Sequence, residues 1–460
     1  MDQEHTSVVR ELMLIPSLPV YPNSSPEFEH YCTYYNRALV DQPLAIVRPR
    51  TENEVSQIVQ ICSMTQTPLT IRSGGHDFFG RSLVVRGIVI DMRAIDSITI
   101  TPDRTSVRVG GGVIAGALQE ALAAQQLFTP TGQSKSVGYV SWACGGGYGF
   151  YVGTYGFGVD QVLGARVVVA SGTVIDTDED SELLWALRGA GAGSFGVVVE
   201  LRVKVYTTPK LYAGYLAFPL SNAATVLESF KSLVVDDFPD EFSGDAIVAH
   251  PDMLPVAVSE PCLTFFWCWT AVDGDLASAK AFLQKMTGLG TVLANTVEET
   301  SAAAYGVGDS SSATFFRSRN VRELNRETGA IFKRLPPVHP LSAVIIHNNH
   351  GKGVWKMLDG SSASFANRYP HVILGFHGGT QPAAVADLAA LSEATNWVQQ
   401  LKTEIDESDM AMEGGFSSFF PPDQVDLVEF FGIQTTKRLR CLKNRLDPGN
   451  IFHSGMSKFI

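Results

Sequence analysis

A histidine directly behind two glycines, in Arg72-Ser73-Gly74-Gly75-His76, is the arrangement in this chain best suited to hold an anionic group and react with what it carries. Paired glycines permit positive φ and let backbone N–H groups turn toward a ligand with no Cβ in the way. A pyrophosphate can lie in such a loop, with His76 beside it. The same five residues also suit a tight turn with a solvated histidine. A second grouping, Gly145, Gly146, Gly147 and Gly149 in GGGYG, exposes continuous backbone to a flat ring or phosphate. It equally suits a turn packed against a strand. The third, GAGSFG (Gly191, Gly193, Gly196), spells GxGxxG. A dinucleotide fingerprint needs a strand before it and a helix after it, and here helical SELLWALRG precedes while strand-like VVVELRVKVY follows. That reversed order argues against a Rossmann NAD site. Neither GxxxxGK[ST] nor GxSxG occurs, so nucleotide triphosphatase and serine hydrolase chemistry have no motif. His347 and His350 lie three apart on a strand-like run, hence on opposite faces, and no zinc spacing is present.

Regular elements must position these groups. PLAIVRP reads as a strand, ENEVSQIVQICSMTQ as an amphipathic helix, and PLTIRSGGH as a strand ending in the first glycine loop. Strands follow at Gly87–Asp91 and Ser106–Val109, with a helix from about Val113 to Gln125. LGARVVVA and TVIDTD suggest a hairpin turning at Ala-Ser-Gly. After Tyr206 glycine thins out. LYAGYLAFPL, LTFFWCWTAV, SAVIIHNNH and HVILGFHGG read as strands, while ATVLESFKSLV, ASAKAFLQKM, RELNRETGAIFKRL and AAVADLAALSEATNWVQQLKTEI read as helices. The pattern is that of a sheet backed by helices, in an α+β chain. Phe265, Phe266, Trp267 and Trp269 suit an apolar ligand pocket or the core of that sheet.

At 460 residues two domains are expected. No apolar stretch reaches about 18 residues, which argues against a membrane span. The acidic start MDQEHTSVVRELMLIPSLP does not read as a secretory signal. Six scattered cysteines without a CxxC pair suit reduced thiols, so a cytoplasmic location is expected. Net charge is −12 with no basic block, which makes nucleic acid and anionic membranes poor partners. An anionic cofactor remains compatible, because glycine loops bind phosphate through backbone.

Taken in order, RSGGH (72–76), TGQSKSVG (131–138), GGGYG (145–149), YGFGVDQVLGARVVVASG (155–172), LLWALRGAGAGSFGVV (183–198) and RLDPGNIF (445–452) resemble the FAD-linked oxidases of the vanillyl alcohol oxidase/p-cresol methylhydroxylase superfamily. The likeness is greatest to the 6-hydroxy-D-nicotine oxidase and berberine bridge enzyme-like branch. The resemblance implies a two-domain flavoprotein. Residues 1–205 and 410–460 form the FAD-binding domain, of two α+β subdomains, and 206–409 form an inserted substrate domain. It further implies an 8α-histidyl bond from His76 to FAD. The cofactor would be held by Arg72, Ser73, Gly74, Gly75, Asp77, Thr131, Gly132, Ser136, Val137, Gly138, Gly145, Gly146, Gly147, Gly149, Gly196, Val197 and Val198.

Bicovalent members of that family add a link through a cysteine, and the matching position here is Ser134, so a monocovalent flavin is expected. Cys144 reads as a packing residue. Val137 stands where a small β-branched residue accompanies oxygen access, favouring an oxidase. Where relatives carry Tyr-x-Asn, this chain has Phe416-Ser417-Ser418, so that tyrosine is missing and a base must come from elsewhere. His377 and His347, on strands expected to face the flavin, are the candidates, each equally suited to a structural role. The implied activity is hydride removal from a small organic, secondary-metabolite substrate, with electrons passing to O2 to give peroxide and oxidative cyclisation as one outcome. The alternatives are a redox-neutral isomerase or cyclase with structural FAD, and a flavin-binding protein without turnover. A monomer or homodimer is expected.

Overall fold

The computed structural model describes residues 3–308, 311–355, 362–382, 387–453 and 455, with side chains from residue 7 onward. Near the amino terminus, Ala45–Val47, Ile88–Asp91 and Leu69–Arg72 run parallel, with Val20–Pro22 antiparallel at the edge. Helix Glu52–Met64 makes the crossover, opened by a capping box between Thr51 and Glu54. Parallel strands buried on both faces read as continuous apolar runs, as AIV and IVID do. RSGGH leaves the carboxyl end of the central-to-edge pair, the end at which open parallel sheets place their ligands.

A five-stranded antiparallel sheet follows, ordered Ile98–Ile100, Ser106–Gly110, Val197–Lys204, Val162–Val168, Val174–Asp176. Its last two strands form the expected hairpin, with Gly172 at φ 79° in the turn. Helix Ile433–Leu446 buries Leu439, Leu442 and Leu446 in the same core as Val107, Val167 and Leu201. The carboxy-terminal segment thus completes the amino-terminal layers.

The third sheet is antiparallel and ordered Ala294–Asn295, Lys210–Pro219, Cys262–Ala271, Ala246–Ala249, Ala343–Asn349, His371–Thr380, Ala313–Val321, with Glu298–Thr300 also on Lys210–Pro219. Helices Ala223–Val234, Ala277–Thr287, Arg326–Arg334 and Leu388–Asp406 cover one face, burying Phe230, Phe282, Phe332 and Trp397 against it. Strands Ala246–Ala249 and Ala313–Val321 were not anticipated from sequence, and the last two helices are shorter than the patterns suggested. Residues 383–386 of the longest pattern lie outside the described residues. Phe265, Trp267 and Trp269 point to the helices and Phe266 to the other face. They are sheet core, and none lines the large cavity described next.

Candidate functional site

A cavity of about 380 Å³ opens between the amino-terminal layers and the helix-free face of the large sheet. That is the size range of a small-molecule site. One wall is the first glycine loop: Ser73, Gly74, Gly75, His76 and Asp77 all line it. Gly132, Val137, Gly138 and Val198 complete that side, and His347 stands on the sheet side. Segments distant in sequence therefore meet at one place.

The first loop is built by close backbone packing. A Cβ on Gly74 would stand 2.5 Å from Gly138 N and Ser136 O, so only glycine lets the 73–76 and 136–138 segments touch. Gly75 takes φ 72°, which L side chains avoid. The His76 ring stacks on Tyr35 at 4.5 Å, and its Nε2 contacts Ser136 Oγ. Asp77 accepts the Phe79 N–H at 3.0 Å and pairs with Arg81 at 2.8 Å. Arg81 in turn donates to the carbonyls of Ser417 (2.9 Å) and Phe420 (2.6 Å). It thereby ties the histidine loop to the segment carrying Phe416, Ser418 and Phe419 into the cavity.

Other expected residues stand behind the wall. Arg72 is fully buried and pairs with Asp91 at 2.9 Å, where Arg93 also binds. Burial pushes the Asp91 carboxyl up, but the Arg93 hydrogen bond and the two guanidinium charges outweigh it and hold it below its usual range. Arg72 anchors the loop's root. Thr131 is buried against Gln119, and Gly196 and Val197 lie inside the five-stranded sheet's start. Gly145, Gly146, Gly147 and Gly149 do not line the cavity. Gly147, at φ 82°, packs on the Gly158 backbone, and a Cβ on Gly149 would meet Thr131 O at 2.7 Å. The run is a packed turn that presents Tyr148 to the cavity. Cys144 is buried, its thiol pushed up to about 12 by desolvation.

The two candidate histidines separate. Residues 345 and 347 share one face of strand Ala343–Asn349, while Val344 and Ile346 enter the helix-backed core. His377 has the same parity, but register places it opposite Ala343, four positions from His347's partner Ile373. At ~3.4 Å per residue that is about 14 Å along the sheet. There His377 is sealed, its Nε2 3.1 Å from Ser312 Oγ and 3.0 Å from Thr314 Oγ1, and burial lowers its pKa to about 4. Of the two, His347 lines the cavity and His377 does not.

One residue not anticipated completes the sheet side. Asp245, 2% exposed, precedes strand Ala246–Ala249, which pairs Ala246 with Ile346 and so sets Asp245 across from His347. Its Oδ2 is 3.3 Å from His347 Nδ1 and accepts from Gln133 Nε2, while Oδ1 accepts the Asn348 N–H at 2.8 Å. The sequence signal was faint, an aspartate before a four-residue strand whose partner lies a hundred residues on. Gly191 and Gly193 also line the cavity, so GAGSFG contributes its first two glycines. Among the described residues no group of His, Cys, Asp or Glu could hold a metal ion, and no helix is long and apolar enough to cross a membrane.

The family description "FAD binding domain" matches residues 43–178. An FAD-linked oxidoreductase of Gibberella zeae (aurO) is 33% identical over 95% of this chain and 85% of its own length. The (R)-6-hydroxynicotine oxidase of Paenarthrobacter nicotinovorans is 34% identical over 49% of this chain and 51% of its own. The crystal structure of 6-hydroxy-D-nicotine oxidase from Arthrobacter nicotinovorans superposes with a TM-score of 0.81 at 23% identity, covering 96% of this chain and 98% of that one. A chitooligosaccharide oxidase superposes at 0.79 and 21% identity over 99% of each chain. Sequence likeness over nearly the whole chain, with this fold and this glycine-walled cavity, places the protein in the FAD-linked oxidoreductases of the vanillyl alcohol oxidase/p-cresol methylhydroxylase type.

Proposed function

We propose that this protein is an oxidase that holds FAD covalently through His76 alone and oxidises a small organic molecule with O2 as acceptor. The observation that carries this reading is the convergence of the RSGGH loop, the 132–138 segment and the Gly191–Gly193 turn on one cavity, with His347 across from them. The residues fit a flavin dinucleotide. Gly75 and Gly193, both at positive φ, present backbone where a Cβ would find only Arg72 and Ile71 carbons beyond 3.4 Å. Ser73 Oγ is buried at the wall without a protein partner, as expected of a group that meets ligand. Backbone and hydroxyl donors then take the place of lysines in binding pyrophosphate.

Bound FAD supplies the hydride acceptor, and the protein supplies binding, orientation and electrostatics. Residues 1–205 and 410–460 form the flavin domain in this reading and 206–409 the substrate domain. Ser134 also lines the cavity, and its hydroxyl gives no second thioether anchor. Val137 at the wall leaves a small apolar surface for O2. Of the two histidines, His347 is the proton acceptor and His377 a hydrogen-bonded core residue.

Acid precipitation of the purified protein tests the tether: yellow colour stays with the pellet. In His76→Ala the flavin is released to the supernatant. Free flavin from the unaltered protein would sink the covalent assignment. Substrate-dependent bleaching without oxygen, and peroxide with it, separates the oxidase from a redox-neutral isomerase using the same histidine.

A further inference from the structure

We propose that Asp245, supported by Gln133, is the positioning residue that makes His347 a proton acceptor, and that the group it serves is a neutral substrate hydroxyl. The inference rests on the flavin reading above and adds to it the device that replaces the missing tyrosine.

The carboxylate of Asp245 is buried and meets three donors: the Asn348 N–H, Gln133 Nε2 and His347 Nδ1. These contacts occupy both carboxyl oxygens, Oδ1 with the Asn348 N–H and Oδ2 with Gln133 Nε2 and His347 Nδ1. Among the described residues no lysine or arginine pairs with it, and His347 is its one partner able to carry positive charge. Two consequences follow from elementary chemistry. Nδ1 of His347 lies 3.3 Å from Asp245 Oδ2 and 3.4 Å from Gln133 Nε2, and the Gln133 amide is already directed to Asp245, so in this proposal the carboxylate draws the imidazole proton to Nδ1 and leaves the lone pair on Nε2. When Nε2 takes a proton, the imidazolium is stabilised by a charge already in place, at no cost in reorganisation.

Strand geometry aims this pair. His347 shares the cavity face with Ile345, and Asp245 sits behind it at the start of the neighbouring strand. Gln133 links the pair to the flavin-side wall, because its backbone carbonyl accepts from Val307 and its neighbours Gly132 and Ser134 line the same cavity.

The rest of the lining limits what can bind beside His347. Phe78, Phe416 and Phe419 make it apolar, with Phe419 5.9 Å from the His347 ring. The lining charges Asp77 and Arg81 neutralise each other at 2.8 Å. Among the described residues that line the cavity, Asp77 and Arg81 are the only Asp, Glu, Lys or Arg side chains. A neutral hydroxyl is the group this wall accepts and an imidazole can ionise. In the step proposed, the O–H and adjacent C–H bonds break and C=O forms. The proton would pass to His347 Nε2, and FAD, when bound, would supply the two-electron acceptor for the hydrogen of the C–H bond.

The test uses the flavin-loaded protein and 4-nitrophenol as an ionisable hydroxyl probe, followed by difference absorbance against pH, with no turnover required. Bound to the unaltered protein, the probe ionises at a lower pH than when free. In Asp245→Asn and His347→Gln the bound probe ionises at least about tenfold less readily, one pH unit higher. Gln133→Glu, which sets a second carboxylate beside Asp245, shifts the profile further than Gln133→Met. Loss of a strongly downfield imidazole N–H proton resonance in Asp245→Asn reads the same hydrogen bond directly. Covalent flavin per protein stays at the unaltered level in all four variants. Unshifted probe ionisation in the two primary variants, or no probe binding to flavin-loaded protein, would overturn the proposal while leaving the flavin reading intact. Absence of flavin from the unaltered protein would remove that reading instead.

Discussion

Gly74 shows how little room the histidine loop has. Its neighbours across the gap are backbone atoms of Ser136 and Gly138, which cannot rotate aside as a side chain would. Gly74→Ala must therefore part the two segments that flank His76. The expected cost is about 1–3 kcal/mol of stability, the range for overpacking, read as a lower urea midpoint together with reduced flavin content. Arg72 and His76, four residues apart, have different duties. The first is locked to Asp91 beneath the loop, and the second stands at the cavity. The glycines of GGGYG, adjacent and alike in sequence, serve packing and bring Tyr148 forward.

At the level of elements, the large sheet and the turn that follows its strand Ala343–Asn349 take three histidines out of water. His371, His377 and the following-strand neighbour His350 are all buried, and desolvation lowers each to about 4. An unfolded chain protonates these groups near pH 6.5. Between about 6.5 and 4 the unfolded state thus binds protons that the folded state refuses, and stability falls as pH falls. Each contributes up to about 3 kcal/mol of that loss, at about 1.4 kcal/mol per pH unit. Urea unfolding at stepped pH should show a steep decline across this window, and His377→Gln should remove about a third of it. A flat profile would mean that these imidazoles are protonated in the fold.

For the whole molecule, the carboxy-terminal segment is a clasp. Lys443, buried within helix Ile433–Leu446, donates to Ser194 O, Phe452 O and Asp447 Oδ2 at 2.8, 2.8 and 2.7 Å. Asp447 accepts the N–H groups of Ile451 and Phe452 at 3.0 Å each. One ammonium thus joins the tail to the glycine turn that lines the cavity. Lys443→Met leaves a buried carboxylate with its cation gone and two carbonyls unpaired. The expected loss is about 3–5 kcal/mol, seen in urea unfolding, with earlier proteolysis after residue 446.

Much of this was written locally. Continuous apolar, β-prone runs such as LTFFWCWTA and HVILGFHGGT carry their own strand signal, and a capping box marks the helix at Glu52. RSGGH announces a strand that ends in a backbone-exposing turn, and the ordered glycine segments announce the flavoprotein family. Three things needed the folded chain. The short strand Ala246–Ala249 has no long pattern of its own and exists because longer strands flank it. The difference between His347 and His377 is one of register, which side-chain parity along a single strand cannot express. The Asp245–His347 contact spans 102 residues and is created by strand pairing alone. Residue types and their local spacing determined the kind of cofactor loop and the class of fold, because turns and strands are set by near neighbours. Tertiary structure decided which imidazole meets the cavity and which carboxylate stands behind it, because both depend on pairing between strands that sequence distance conceals.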